Sequence, residues 1–110
     1  MNSAKAQHSW ESFLRFYSDQ NKGRKTRLGV FDRSGETVTD YWIEDGLPLD
    51  GIDIDPNRHL PTIEILLDGY SHSINGVRSL NAHYSHLLED DGLDIVDADG
   101  KTTVLRFELT

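Results

Sequence analysis

Five Asp-Gly dipeptides, at Asp45-Gly46, Asp50-Gly51, Asp68-Gly69, Asp91-Gly92 and Asp99-Gly100, divide the chain into runs too short for long helices. Asp tolerates turn conformations and Gly supplies positive φ, so each dipeptide reads as a turn. Between them the apolar residues alternate and are rich in β-branched and aromatic types, the period-two signature of antiparallel hairpins. Strands are predicted near Thr26 to Phe31, Glu36 to Glu44, Leu49 to Ile54, Thr62 to Leu67, Tyr70 to Ile74, Leu93 to Asp97 and Thr102 to Leu109. Tight hairpins are predicted at Asp32-Arg33-Ser34-Gly35, Asp68-Gly69 and Asp97-Ala98-Asp99-Gly100.

The first segment follows a different period. Ala6, Trp10, Phe13, Leu14 and Tyr17 fall in one stripe at helical spacing, with Lys5, Glu11, Arg15 and Asp19 elsewhere around the axis. This predicts an amphipathic helix whose N-cap is Ser3 or Ser9 and whose C-terminal stop is Gly23. Phe16 lies off the stripe and reads as a residue flanking the core.

Two stretches resist assignment by period. In the second strand Val38 and Trp42 share a face with Asp40, while Tyr41 and Ile43 share the other with Thr37 and Thr39. Burial on both sides, or a bulge near Asp40, would each account for this. In Val77 to Leu88, the residues Val77, Leu80, Tyr84, Leu87 and Leu88 have helical spacing, whereas Leu80, Ala82 and Tyr84 also alternate. The spacing favours a short helix, with a strand as the alternative.

At 110 residues the chain has length for one domain, covering 1–110. Leu, Ile, Val and Phe supply 29 of these residues, enough for a core that leaves little to spare. A net charge of −8 repels phosphate backbones and anionic lipid, which excludes nucleic acid and membrane surfaces as expected partners. The absence of cysteine removes disulfides, thiolate metal sites and Cys nucleophiles together. The opening residues contain no apolar run of signal-peptide type, and a cytoplasmic protein is expected.

Few residues suggest chemistry. Asp53-x-Asp55-x-Asn57 followed by Leu60 and Glu64 matches the ligand spacing of a calcium loop, but Arg58 stands where its sharp turn needs Gly, and Pro56 and Pro61 stiffen the loop. An acidic loop between strands is the expectation. His72, His83 and His86 offer imidazoles for a metal or for acid/base work, with no HExxH pattern to support them. Ser71-His72-Ser73 lacks a nucleophile elbow, and no phosphate-binding glycine motif occurs. No catalytic residue, metal or cofactor is therefore assigned. The basic cluster Lys22, Arg24, Lys25 and Arg27 is expected to offset the helix dipole and to blunt a strand edge, with an acidic partner as the alternative.

Trp10-x-x-Phe13-Leu14, Leu47-Pro48-Leu49-x-Gly51-Ile52, Ile63-x-Ile65, His72-x-Ile74 and Asp99-Gly100 before Leu105-Arg106-Phe107 occur in that order over nearly the whole chain. In this the sequence resembles a family of short bacterial proteins known only as a domain of unknown function. It departs from the family at Asn75-Gly76-Val77, where a proline-containing strand start is expected. The resemblance implies no activity. The fold expected is α+β: an N-terminal helix packed on a curved antiparallel sheet of about five to seven strands, closing towards a small barrel. The function expected is a non-enzymatic module that binds an unidentified protein; the alternative is a small enzyme or ligand-binding protein using His72, His83 or His86 with nearby carboxylates.

Overall fold

A computed structural model describes the backbone of residues 3–34, 37–55, 59–85, 87 and 89–108, and the side chains of 9–32, 44–55, 59–85, 87 and 89–108. One helix, α1 (Ser3–Asn21), precedes seven strands: β1 (Lys25–Ser34), β2 (Thr37–Asp55), β3 (Thr62–Leu67), β4 (Tyr70–Ile74), β5 (Val77–Tyr84), β6 (Asp90–Asp97) and β7 (Lys101–Phe107). The strands form one antiparallel sheet in the order β4-β3-β2-β1-β7-β6-β5. The α+β expectation is met in part, because the chain is mostly sheet with a single helix.

Connectivity forces the sheet to curl. β4 and β5 lie at opposite ends of the strand order, yet only Asn75 and Gly76 separate them in the chain. Three Cα steps span at most about 11 Å, whereas seven flat strands would extend about 29 Å across. The two ends must therefore approach each other. The Val77 N–H donates to the Pro61 carbonyl and the Ala98 N–H to the Gly76 carbonyl, both at 2.9 Å, and these bonds fix the corner.

The bend on the other side of the molecule lies within β2. This strand runs 19 residues without a break, pairing with β1 as far as Pro48 and with β3 from Leu49 onward. The sequence predicts two strands here, because Asp45-Gly46 reads as a turn. In the structure Gly46 is an extra residue opposite the Thr26/Arg27 step, with φ of 95° that favours glycine. Asp50 is likewise the extra residue between Leu49 and Gly51, and Asp91 the extra residue opposite the His83/Tyr84 step. Three of the five Asp-Gly pairs are thus bulges inside strands, not turns. Only Asp68-Gly69 and Asp99-Gly100 lie in hairpin turns. A bulge increases local twist, which is how a sheet of this length wraps around a core.

The segment from Val77 corrects the helical expectation. Leu80 pairs with Ile95 and Ala82 with Leu93, so alternation wins once β6 supplies a partner. The bulge expected near Asp40 is found nearby, where Ile43 is skipped between Glu44 and Trp42. The side chains of Val38, Asp40, Tyr41 and Trp42, and the Gly35-Glu36 part of the first hairpin, lie outside the described residues.

Leu28, Leu49, Ile63, Ile65, Val77, Leu93, Ile95 and Leu105 are completely buried on the concave side. α1 fills the remaining opening with Leu14 and Tyr17, also buried. It starts at Ser3, so Ser9 is an internal residue and no N-cap. It stops before Gly23, whose φ of 88° turns the chain into β1. Phe16 departs from its expected place beside the core and is 65% exposed, because the sheet does not extend beneath that flank of the helix.

Candidate functional site

Tyr17 anchors α1 to the far end of the sheet. Its hydroxyl donates to Asp90 Oδ1 at 2.8 Å, and its ring lies 6.0 Å from that of Phe107 and 5.3 Å from that of Phe13, centroid to centroid. Burial, followed by the hydrogen bond and the charge of Asp90, raises the phenol pKa well above its ordinary value, so the hydroxyl remains a donor. Asp90 Oδ1 also accepts from the Gly92 N–H at 3.3 Å, which fixes the carboxylate from its own strand.

Beside this anchor the molecule exposes large apolar side chains. Phe13 and Phe16 are one turn apart on α1 and are 36% and 65% exposed. Tyr84 pairs with Asp90 across the β5–β6 hairpin and is 57% exposed; Leu87, in the connection between these strands, is 68% exposed. Phe13 packs on Tyr17, Tyr17 bonds Asp90, and Asp90 pairs with Tyr84 in the strand register, which connects the two groups. Glu89, Asp90 and Asp91 add negative charge at the end of the same hairpin. Sequence reasoning missed Tyr17–Asp90. The available signal was that a buried tyrosine needs a partner for its hydroxyl.

The histidines are not brought together. His83 on β5 holds Asp91 at 2.5 Å through Nδ1, a carboxylate partner that the sequence did not identify. His72 on β4 pairs with Ile65. The two strands approach at the Ile74/Val77 corner, and His83 lies about 20 Å along β5 from there. His86 lies outside the described residues.

His72 lines a separate cleft of about 270 Å³, open to solvent, with Val30, Ser73, Asn75, Asp97, Lys101 and Thr103 among its walls. Burial lowers the pKa of its imidazole below the ordinary 6.5, favouring the neutral ring. Asp97 Oδ1 is already engaged by the N–H groups of Asp99 and Lys101, at 2.9 and 3.1 Å, and shapes the β6–β7 turn.

Of the residues with calcium-like spacing, Asp53, Asp55 and Glu64 lie in strands. Asp53 and Glu64 face each other on neighbouring strands, and Asp55 faces Thr62. Glu64 follows the alternation of β3, between buried Ile63 and Ile65. Asn57 lies outside the described residues. Among the described residues, no group of three or more His, Asp or Glu is disposed to hold a metal ion.

The basic cluster divides into separate roles. The Arg24 guanidinium donates to Asn21 Oδ1 at 2.9 Å and stacks 4.3 Å from the Phe107 ring centroid, while Asn21 Nδ2 donates to the Tyr17 carbonyl at 2.9 Å. Arg27 lies 3.5 Å from Asp45, and Lys22 and Lys25 are exposed. β1 lies between β2 and β7, so these cations do not blunt a strand edge as expected. A hydrogen bond with Asp45 also raises the pKa of Glu108.

The chain matches no protein-family model, no curated protein and no solved structure. Among the described residues, no helix is long and apolar enough to cross a membrane.

Proposed function

We propose that this domain is a non-enzymatic protein-binding module whose contact face is formed by Phe13, Phe16, Tyr84 and Leu87. The observation that carries this reading is the exposure of four large apolar side chains on two elements joined by the Tyr17–Asp90 hydrogen bond, Phe13 and Phe16 on α1 and Tyr84 and Leu87 in the β5–β6 hairpin. Large exposed apolar groups beside polar residues mark contact sites, and aromatic anchors on rigid elements lose little entropy on binding. The acidic rim and the net charge of −8 favour a partner with basic residues around an apolar centre and disfavour nucleic acid and anionic membranes. The α+β assignment, an intracellular setting and kinship with the bacterial domain of unknown function belong to the same proposal.

A second reading rests on the His72 cleft, where a neutral imidazole meets hydroxyl, amide, ammonium and carboxylate groups. One comparison separates the two. Immobilised wild type, Phe16→Ser with Tyr84→Ser, and His72→Ala are exposed to the same cell extract, and circular dichroism verifies each fold. Loss of a captured protein in the aromatic double variant alone supports the contact face. Loss in His72→Ala alone moves the function to the cleft.

A further inference from the structure

Among the described residues, the buried polar side chains are Asn21, Thr26 and Thr103. Asn21 bonds Tyr17 and Arg24, and the Thr26 hydroxyl donates to the Leu47 carbonyl. Thr103 is only 3% exposed, yet no described group bonds its hydroxyl. A buried hydroxyl without a partner loses its hydration for no return, so such groups are rare. Thr103 lines the His72 cleft, and the His72 imidazole likewise has no partner among the described residues. β3, β2 and β1 lie between β4 and β7 in the sheet, so it is the curl that brings these two side chains to one opening. Both face the concave side, His72 beside buried Ile74 and Thr103 beside buried Leu105. The cleft lies at the Lys101 end of β7, about 20 Å along the strand from Phe107, where Tyr17 of α1 packs. α1 thus closes one end of the curled sheet and the cleft opens the other, a mouth of the kind in which barrels hold ligands.

We propose that this mouth binds a small zwitterion of the amino-acid type, its apolar part on Val30 and Ile74 and its polar end on Thr103 and His72. The proposal rests on the reading of the His72 cleft as a binding site, and it uses no residue of the aromatic contact face. A volume of about 270 Å³ lies just below that of pockets for drug-sized molecules, which restricts the ligand to a small metabolite. Burial favours the neutral imidazole, which offers one donor and one acceptor, and the threonine hydroxyl also offers both. The rim carries both signs. Lys101 and Asp99 line the cleft two residues apart, and among the described residues neither has an ion pair. A ligand carboxylate at Lys101 and a ligand ammonium at Asp99 each gain a charge-assisted bond, whereas a ligand of one sign satisfies one rim charge and is repelled by the other.

The test is calorimetric titration of the full chain with L-leucine, N-acetyl-L-leucine and L-leucine methyl ester, for wild type, Thr103→Val, Lys101→Gln and Asp99→Asn. Wild type is expected to bind L-leucine, and each analogue, which lacks one charge, about tenfold more weakly or worse. Thr103→Val keeps the shape and removes the hydroxyl, so leucine affinity falls about tenfold while the urea midpoint of the free protein does not fall. Lys101 and Asp99 are exposed, so their variants keep the fold. Lys101→Gln is expected to abolish the preference over the ester, and Asp99→Asn the preference over the N-acetyl form. Equal binding of the three probes overturns the proposal, as does leucine binding indifferent to Thr103→Val. A lower midpoint in Thr103→Val also overturns it, because the hydroxyl would then be bonded in the free protein. Binding of no probe removes the zwitterion, and the cleft reading falls with it only if His72→Ala captures the same protein as wild type.

Discussion

The C-terminal half of β2 and the strand β5 both end a run of strand pairing, yet only β2 is closed within the molecule. Beyond Pro48, β1 no longer accompanies β2, and α1 takes its place. Ser18 Oγ accepts from the Ile52 N–H at 2.9 Å and donates to the Ile52 carbonyl at 3.3 Å. The chain just after the helix contributes the Gly23 N–H to the Leu49 carbonyl and the Arg24 carbonyl to the Leu49 N–H, at 2.8 and 2.9 Å. At β5, among the described residues, the further backbone bond is Val77 to Pro61. A helix seals an edge where a polar side chain reaches the strand's peptide groups, as Ser18 does at Ile52.

The harshest way to break the contrast is to loosen the hairpin that carries the open edge. A methyl group added at Gly92 would lie 1.9 Å from the Leu105 carbonyl oxygen, a backbone atom that cannot swing away. Gly92→Ala is therefore expected to cost at least about 3 kcal/mol. A urea midpoint equal to wild type would show that β6 is not held this closely against β7. Leu14 and Phe16 sharpen the comparison within α1, since one is 1% and the other 65% exposed. Leu14→Ala should cost about 2 to 5 kcal/mol, and Phe16→Ala no more than about 0.5 kcal/mol. Equal losses would mean that both flanks of the helix are covered.

Tyr17→Phe retains the ring contacts and removes the donor to Asp90, with an expected loss of about 1 to 3 kcal/mol. Amide exchange near Asp90 should rise with it; a change confined to the helix would break the link between helix and hairpin. The smallest effect concerns His72. Its pKa is lower in the folded state than the ordinary 6.5, so the unfolded chain takes up the proton first. Stability present above pH 6.5 is gradually lost as pH falls towards the folded value. His72→Gln should flatten that part of the profile, and an unchanged slope would place the titration elsewhere.

Much of this architecture could be read from local pattern. β3 and β4 match their expected limits at both ends, because Ile63, Ile65 and Leu67 alternate cleanly and Asp68-Gly69 makes a simple turn. The buried stripe of α1 was also legible in Leu14 and Tyr17. What was hidden depends on neighbours distant in sequence. β5 is a strand because β6 is there to pair with it, and Phe16 is exposed because the sheet ends before reaching it. Gly46, Asp50 and Asp91 look like turns until the partner strand shows each to be one residue too many. The site was less legible than the fold. Tyr17 meets Asp90 across 73 residues, and no spacing rule connects them.

The position of β1 also governs when the protein can finish folding. β1 pairs with β7, with Thr26 opposite Phe107 and Asp32 opposite Lys101. Among the described strands, the first and last to leave the ribosome are therefore neighbours at the centre of the sheet. Until Phe107 has emerged, β1 and β6 both present unsatisfied edges, and the early hairpins can form but cannot close around the core. Pairings between such distant segments are slow, because the loop entropy is lost before the contacts repay it. Before β7 is made, the chain can form the β1–β4 meander and the β5–β6 hairpin, and Leu105 and Phe107 of β7 then join the two and complete the interior.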